Sequence, residues 1–152
     1  MSSNRLLARL PNAKRVGTAI LKGYELTFDM LFSDGSGKCS IQKTDKADAL
    51  VYGVVYEVNT NEKLTLDAIE GPGYDCVDIT VELLNGQTID THCYIANTHD
   101  EGVLPYDWYV KHVHRGALEA GVPKAYSDAI LNRPQKSDPN KERAAIEFAV
   151  HQ

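Results

Sequence analysis

The stretch YDCVDITVELLNGQTIDTHCYIA, residues 74–96, decides how this chain folds. In its first half Val77, Ile79, Val81 and Leu83 alternate with Asp78, Thr80 and Glu82. In its second half Ile89, Thr91, Cys93 and Ile95 alternate with Asp90, His92 and Tyr94. A period of two marks a strand with one buried face, and two such runs around a turn make a hairpin. A two-residue turn at Asn85-Gly86 would set Val81 against Asp90 and Val77 against Tyr94, mixing the faces. A three-residue loop, Leu84-Asn85-Gly86 with the glycine left-handed, sets Val81 against Ile89 and Val77 against Cys93. The second register is the expected one. It puts Tyr94 on the polar side with His92.

Upstream, Leu50–Val58 (LVYGVVYEV) is apolar on both faces and is expected as a central strand. NTNEKLTLDAIEG between them reads as a short helix, with Thr60 as N-cap and Gly71 where it stops. Earlier still, Val16–Lys22 and Glu25–Phe32 are strands joined at Gly23-Tyr24, and Ser33–Lys38 (SDGSGK) is a turn-rich loop into a strand over Cys39–Thr44. Downstream, Tyr106–Gly121 is an amphipathic helix with Tyr109, Val113 and Ala117 on one face. KAYSDAILN and, after the polar QKSDPN, KERAAIEFAV follow as helices. Strands, helix, hairpin and helices without βαβ alternation define an α+β fold, a small mixed or antiparallel sheet curled like a barrel and flanked by helices. Residues 1–133 are expected to form the domain, and 134–152 a polar linker and a C-terminal helix packing on it.

The chain has 152 residues, enough for one domain with a sizeable core. A net charge of −5 with no basic stripe argues against nucleic acid or anionic membrane as a partner. No apolar run reaches the roughly 18 residues of a membrane helix. Three widely spaced cysteines, Cys39, Cys76 and Cys93, read as reduced thiols of a cytoplasmic protein. No metal or cofactor is expected: the cysteines lack ligand spacing, and His112 and His114 diverge on their helix. DGSGK lacks the spacing of a phosphate loop.

Among the carboxylates Glu70 is singled out by position. It ends its helix, facing the negative end of the dipole where a cation is preferred, directly before GPGY. Taken alone, this is more often the signature of an exposed glutamate at a helix stop. Asp67, one turn earlier, is read as exposed or as making a turn hydrogen bond, and Tyr74, Tyr94, Tyr109 and Tyr126 as core or rim aromatics whose hydroxyls need partners.

Several segments, in order, resemble the γ-glutamylcyclotransferase-like (AIG2-like) family. They are RLLARLPNAKRVGTAILKGYELTF, DGSGKCSI, VYGVVYEV, LDAIEGPGY and PYDWYVKHVHRGALEAGVPKAY, together spanning residues 5–126. The resemblance implies an enzyme that converts a small γ-glutamyl substrate into 5-oxoproline and a free amine or amino acid, with Glu70 as acid/base. It implies Tyr74, Tyr94 and Tyr126 as pocket-lining, substrate-binding residues. It also leaves open a non-catalytic binding protein of the same fold, and a γ-glutamylamine cyclotransferase acting on another acceptor. Family members carry a strand ending in Tyr-Gly-Ser-Asn ahead of the Arg-Leu turn, whose backbone N–H groups would stabilise an oxyanion. Here MSSNRLLARLPNA aligns with the segment just beyond that loop, so the chain is expected to start inside the domain, with the first strand missing and activity impaired. A sheet lacking a strand is expected to distort or to pair with a second copy as a homodimer.

Overall fold

The computed structural model describes residues 3–150. Met1, read above as the start of an interior segment, lies outside them. After a short helix α1 (Ser3–Leu7) come four strands, β1 (Lys14–Lys22), β2 (Tyr24–Leu31), β3 (Gly37–Lys43) and β4 (Leu50–Glu57). Helix α2 (Thr60–Glu70) and a 3₁₀ turn at Gly71–Gly73 lead into β5 (Tyr74–Leu83) and β6 (Thr88–Ala96). Three helices close the chain: α3 (Asp107–Ala120), α4 (Lys124–Leu131) and α5 (Lys141–Ala149). Among the described residues no helix is long and apolar enough to cross a membrane.

The strands form two antiparallel sheets, one of four in the order β4-β1-β5-β6 and one of two, β2-β3. The β5–β6 hairpin has the expected register, Val81 opposite Ile89 and Val77 opposite Cys93. Gly86 takes a φ of 88°, and its N–H donates to the Leu83 carbonyl, closing the loop. The position of β4 corrects the sequence reading. It is an edge strand, and β1 and β5 are the interior ones. The apolar residues on both its faces are covered instead by β2 and α3, which pack against it. By contrast β1 meets β5 only at Ala19–Leu83 and Ile20–Glu82.

Two apolar clusters result. Phe28, Val110, Ala117 and Ile130 join the β2–β3 sheet to α3 and α4, and Tyr109 and Val113 pack on them. Ala19, Val81 and Leu83 hold the larger sheet. The larger of these side chains, Phe28, Val110, Ile130, Val81 and Leu83, each stabilise by roughly 1.5–3 kcal/mol when fully buried. Gly121 ends α3 at a φ of 71°, and its N–H reaches the Ala117 and Leu118 carbonyls.

The SDGSGK turn is far more than a solvated loop. Ser36 and Lys38 are buried. The Lys38 ammonium donates to Asp34 at 3.0 Å and to Ser36 at 2.9 Å. Four rings surround it, Phe32, Tyr106, Trp108 and Tyr109, with centroids 4.8–5.9 Å away. Burial pulls the ammonium below its usual range, with Asp34 partly restoring it. For Asp34 burial opposes the charge, but hydrogen bonds from Ser36 and Lys38 prevail and hold its carboxyl low. Behind this box Asp138, fully buried, accepts from the Trp108 indole at 2.9 Å and from two guanidinium nitrogens of Arg143, tying the segment before α5 to α3.

Candidate functional site

Helix α2 delivers Glu70. It starts one residue earlier than expected, at Asn59, whose side-chain oxygen accepts from the Glu62 N–H. Its last residue is Glu70, after which Gly71 turns the chain at a φ of 65°. The Glu70 side chain is half-buried and, among the described residues, has no hydrogen-bond donor. Burial pushes its carboxyl above the usual carboxylate range, and the Arg9 guanidinium draws it partly back.

Tyr74 follows the Gly71–Gly73 turn, close enough to feel Glu70's charge. Burial, then the neighbouring Cys39 and Glu70, raise its phenol well above the ordinary value, so it stays protonated. Its hydroxyl donates to the Cys39 carbonyl at 3.0 Å. That carbonyl is free because the β2–β3 ladder shifts between Thr27 and Met30, leaving Cys39 opposite an irregularity. The Cys39 N–H, also outside the ladder, donates to the Tyr109 hydroxyl at 3.1 Å. Two tyrosines from distant elements thus occupy both backbone groups of the one β3 residue that faces the Phe28-Asp29 bulge of β2. Tyr109, deeply buried, keeps its own proton available to donate.

Burial raises the phenol of Tyr126 on α4, and the hydrogen bond from the Tyr52 backbone draws it partly back. Its hydroxyl accepts from the Tyr52 N–H at 3.3 Å, and the two rings meet edge-on at 4.9 Å. It also lines a cleft of about 510 Å³ with Leu26, Ala129, Ile130 and Arg133. Tyr94 of β6 turns elsewhere. Its hydroxyl donates to Asp67, which also pairs with Lys63 on the exposed side of α2. Tyr74 thus stands between Glu70, whose charge it feels, and Cys39, while Tyr126 opens onto a separate cleft beside Tyr52 and Tyr94 meets Asp67, one turn from Glu70 on α2.

Tyr109 belongs to this cluster and was not among the site residues expected from sequence. Its placement on the apolar α3 face with Val113 and Ala117 reads as core. The usable signal was a hydroxyl inside an apolar stripe, which must find a partner when buried.

As a chemical arrangement, this is one uncommitted carboxylate with a raised pKa beside phenols that donate and accept. It suits proton transfer to and from a small polar molecule. Two solved structures share the fold over nearly the whole chain. One is described as a gamma-glutamyl cyclotransferase, with a TM-score of 0.85 and 24% identity over 97% of this chain and 91% of that one. The other, an uncharacterized protein from Homo sapiens, has a TM-score of 0.84 at the same identity and coverage. YkqA from Bacillus subtilis shares it more loosely, with a TM-score of 0.66 and 20% identity, over 82% of this chain and 46% of that one. At these identities the likeness is one of fold. No curated protein matches the sequence. The AIG2-like family model matches residues 50–130, more than half the chain, and the chain belongs to that family.

Proposed function

We propose that the protein is a γ-glutamyl cyclotransferase, releasing 5-oxoproline and a free amine or amino acid, with Glu70 as its acid/base. The observation that carries the reading is Glu70 itself: half-buried, raised in pKa and, among the described residues, without a hydrogen-bond donor. A carboxylate neutralised by an ion pair or committed to a cap would be a poor base.

The reaction needs such a group. The substrate's α-amine must attack its own γ-carbonyl, but at neutral pH it is an ammonium. Glu70 takes one proton, the freed amine adds to the carbonyl carbon, and a five-membered tetrahedral intermediate forms. As the old C–N bond breaks, Glu70 returns the proton to the departing nitrogen, which leaves as a neutral amine, and then takes the surplus proton from the ring nitrogen and passes it to solvent. One carboxyl serves both steps when its pKa lies between those of an ordinary acid and a neutral base. The nucleophile is tethered to the electrophile, so positioning supplies most of the rest. In this reading Tyr74, Tyr94 and Tyr126 are the residues that line the substrate pocket.

The test is release of 5-oxoproline from a panel of γ-glutamyl dipeptides and γ-glutamylamines. Glu70→Gln should slow turnover by about 10²–10⁴ with the circular dichroism unchanged. Retained turnover removes Glu70 from the mechanism.

A further inference from the structure

Helix α5 packs on α3, yet among the described residues it contributes no buried side chain. Two contacts bridge the helices where interlocking apolar groups would be usual. The His112 imidazole meets the Glu147 carboxylate at 2.7 Å, and the Lys111 ammonium rests 4.5 Å from the centroid of the Phe148 ring. Beside them a cleft of about 550 Å³ stays open, within the roughly 300–1,000 Å³ range of small-molecule sites. Its lining comes from α3, the end of α4 and α5, whereas Glu70 and Tyr74 stand on α2 and β5.

The lining combines two chemistries. Leu118 and Leu131 are 50% and 36% exposed. A single exposed leucine is ordinary on a surface, but these two, from different helices, border one concave space together with Phe148. The second chemistry is positive charge. Lys111, His114, Arg115 and Leu118 follow at i, i+3, i+4 and i+7 on α3, so the cations share a stripe of the helix with the leucine. Glu147, the carboxylate of the lining, is already engaged by His112. Among the described residues the Lys111 ammonium has no acceptor, and Arg115 has only the 3.6 Å contact of its Nε with Glu119. On a chain of net charge −5 this is a local excess of cations with donors to spare.

We propose that this cleft binds a small amphiphilic anion, a flat apolar body carrying one carboxylate or phosphate. Lys111 and Arg115 pair the charge, while Leu118, Leu131 and Phe148 cover the body. A bare anion would leave the leucines wet, and a neutral body would leave the cations unmatched. Trp108 and Phe148 bring two rings to the lining, against which a planar body packs well. The site stands apart from Glu70, so the inference does not depend on the cyclotransferase reading.

Trp108 is the chain's only tryptophan, so its fluorescence and its indole N–H resonance both report on the cleft. The probes are phenylacetate and phenyl phosphate. At constant ionic strength they are compared with benzyl alcohol, which lacks the charge, and acetate, which lacks the body. At least one of the two anions should titrate the Trp108 signal with a Kd of about 0.1–5 mM, fitting for so small a ligand, and the tighter one names the head group. Benzyl alcohol and acetate should each bind at least about 10-fold more weakly. Lys111→Gln should weaken the anions by about 2- to 10-fold and leave benzyl alcohol unchanged. Leu118→Glu, at an exposed position, should weaken them by about 10-fold or more with Tm unchanged. The proposal is overturned if neither anion moves the Trp108 signal at about 20 mM, or if benzyl alcohol binds as tightly as phenylacetate. Anion binding untouched by both substitutions, or amide shifts centred on α2 instead of α3 and α5, would overturn it equally.

Discussion

Removing the Tyr109 hydroxyl tests whether the bulge at Cys39 is held as the structure describes. The Cys39 N–H has left the β2–β3 ladder and donates to Tyr109 at 3.1 Å, while its carbonyl accepts from Tyr74 at 3.0 Å. Tyr109→Phe keeps the ring, its packing in the apolar cluster and its edge contact with Phe28. What it takes away is the acceptor of one shielded amide. An amide left unpaired in this way costs about 1–3 kcal/mol. For a chain of this size each kcal/mol lowers Tm by roughly 2–4 °C, so a fall of about 2–12 °C is expected. Tyr74→Phe should cost less, about 0.5–1.5 kcal/mol, because a carbonyl facing the half-open site can take water instead. Urea unfolding gives the free energies, and amide hydrogen exchange shows whether the loss is local. The Cys39 amide should be protected in the unsubstituted protein and exchange faster in Tyr109→Phe. A variant within about 0.5 kcal/mol of the unsubstituted protein, with the Cys39 amide still protected, refutes the reasoning.

Buried charge gives two further expected outcomes. Lys38→Met keeps the aliphatic stem inside its four rings but strips Asp34 of its cation. It should destabilise by about 3–5 kcal/mol in urea unfolding, with Asp34→Asn restoring most of the loss; a cost below about 1 kcal/mol would show that the pair does not hold the turn. Glu70, raised by burial, binds its proton more tightly folded than unfolded, so its contribution to stability is present at low pH and declines as pH climbs through the raised value. Glu70→Gln should therefore gain in Tm relative to the unsubstituted protein between about pH 4 and about pH 7, and a difference that does not change with pH contradicts the burial argument.

The parts of this fold legible in sequence were those fixed by local rules. The register of β5 and β6 follows from alternation and from the one glycine able to take a left-handed turn, and Val81 does face Ile89. The start of the helix carrying Glu70 is legible to within one residue, since Asn59 and Thr60 both cap well and only packing chooses between them. What escaped depends on residues far apart in the chain. An apolar strand such as β4 is buried on both faces whether sheet neighbours or helices cover it, so its edge position could not be read. Nothing around Cys39 announces a bulge, because the tyrosines that satisfy it stand 35 and 70 residues away. Tyr94 does lie on the polar face as its alternation implies, but its partner Asp67 comes from another element, 27 residues earlier.

The box around Lys38 also constrains the order of folding. Its lysine and carboxylate come from one tight turn that can form early. Three of its four walls, Tyr106, Trp108 and Tyr109, stand on or just before α3, and the bracing Asp138 and Arg143 come later still. During synthesis the ammonium of Lys38 stays hydrated until those residues have emerged. Only then can the β2–β3 hairpin give up its water and lock. The last third of the chain therefore completes the interior of the first, and the two consolidate together near the end of synthesis.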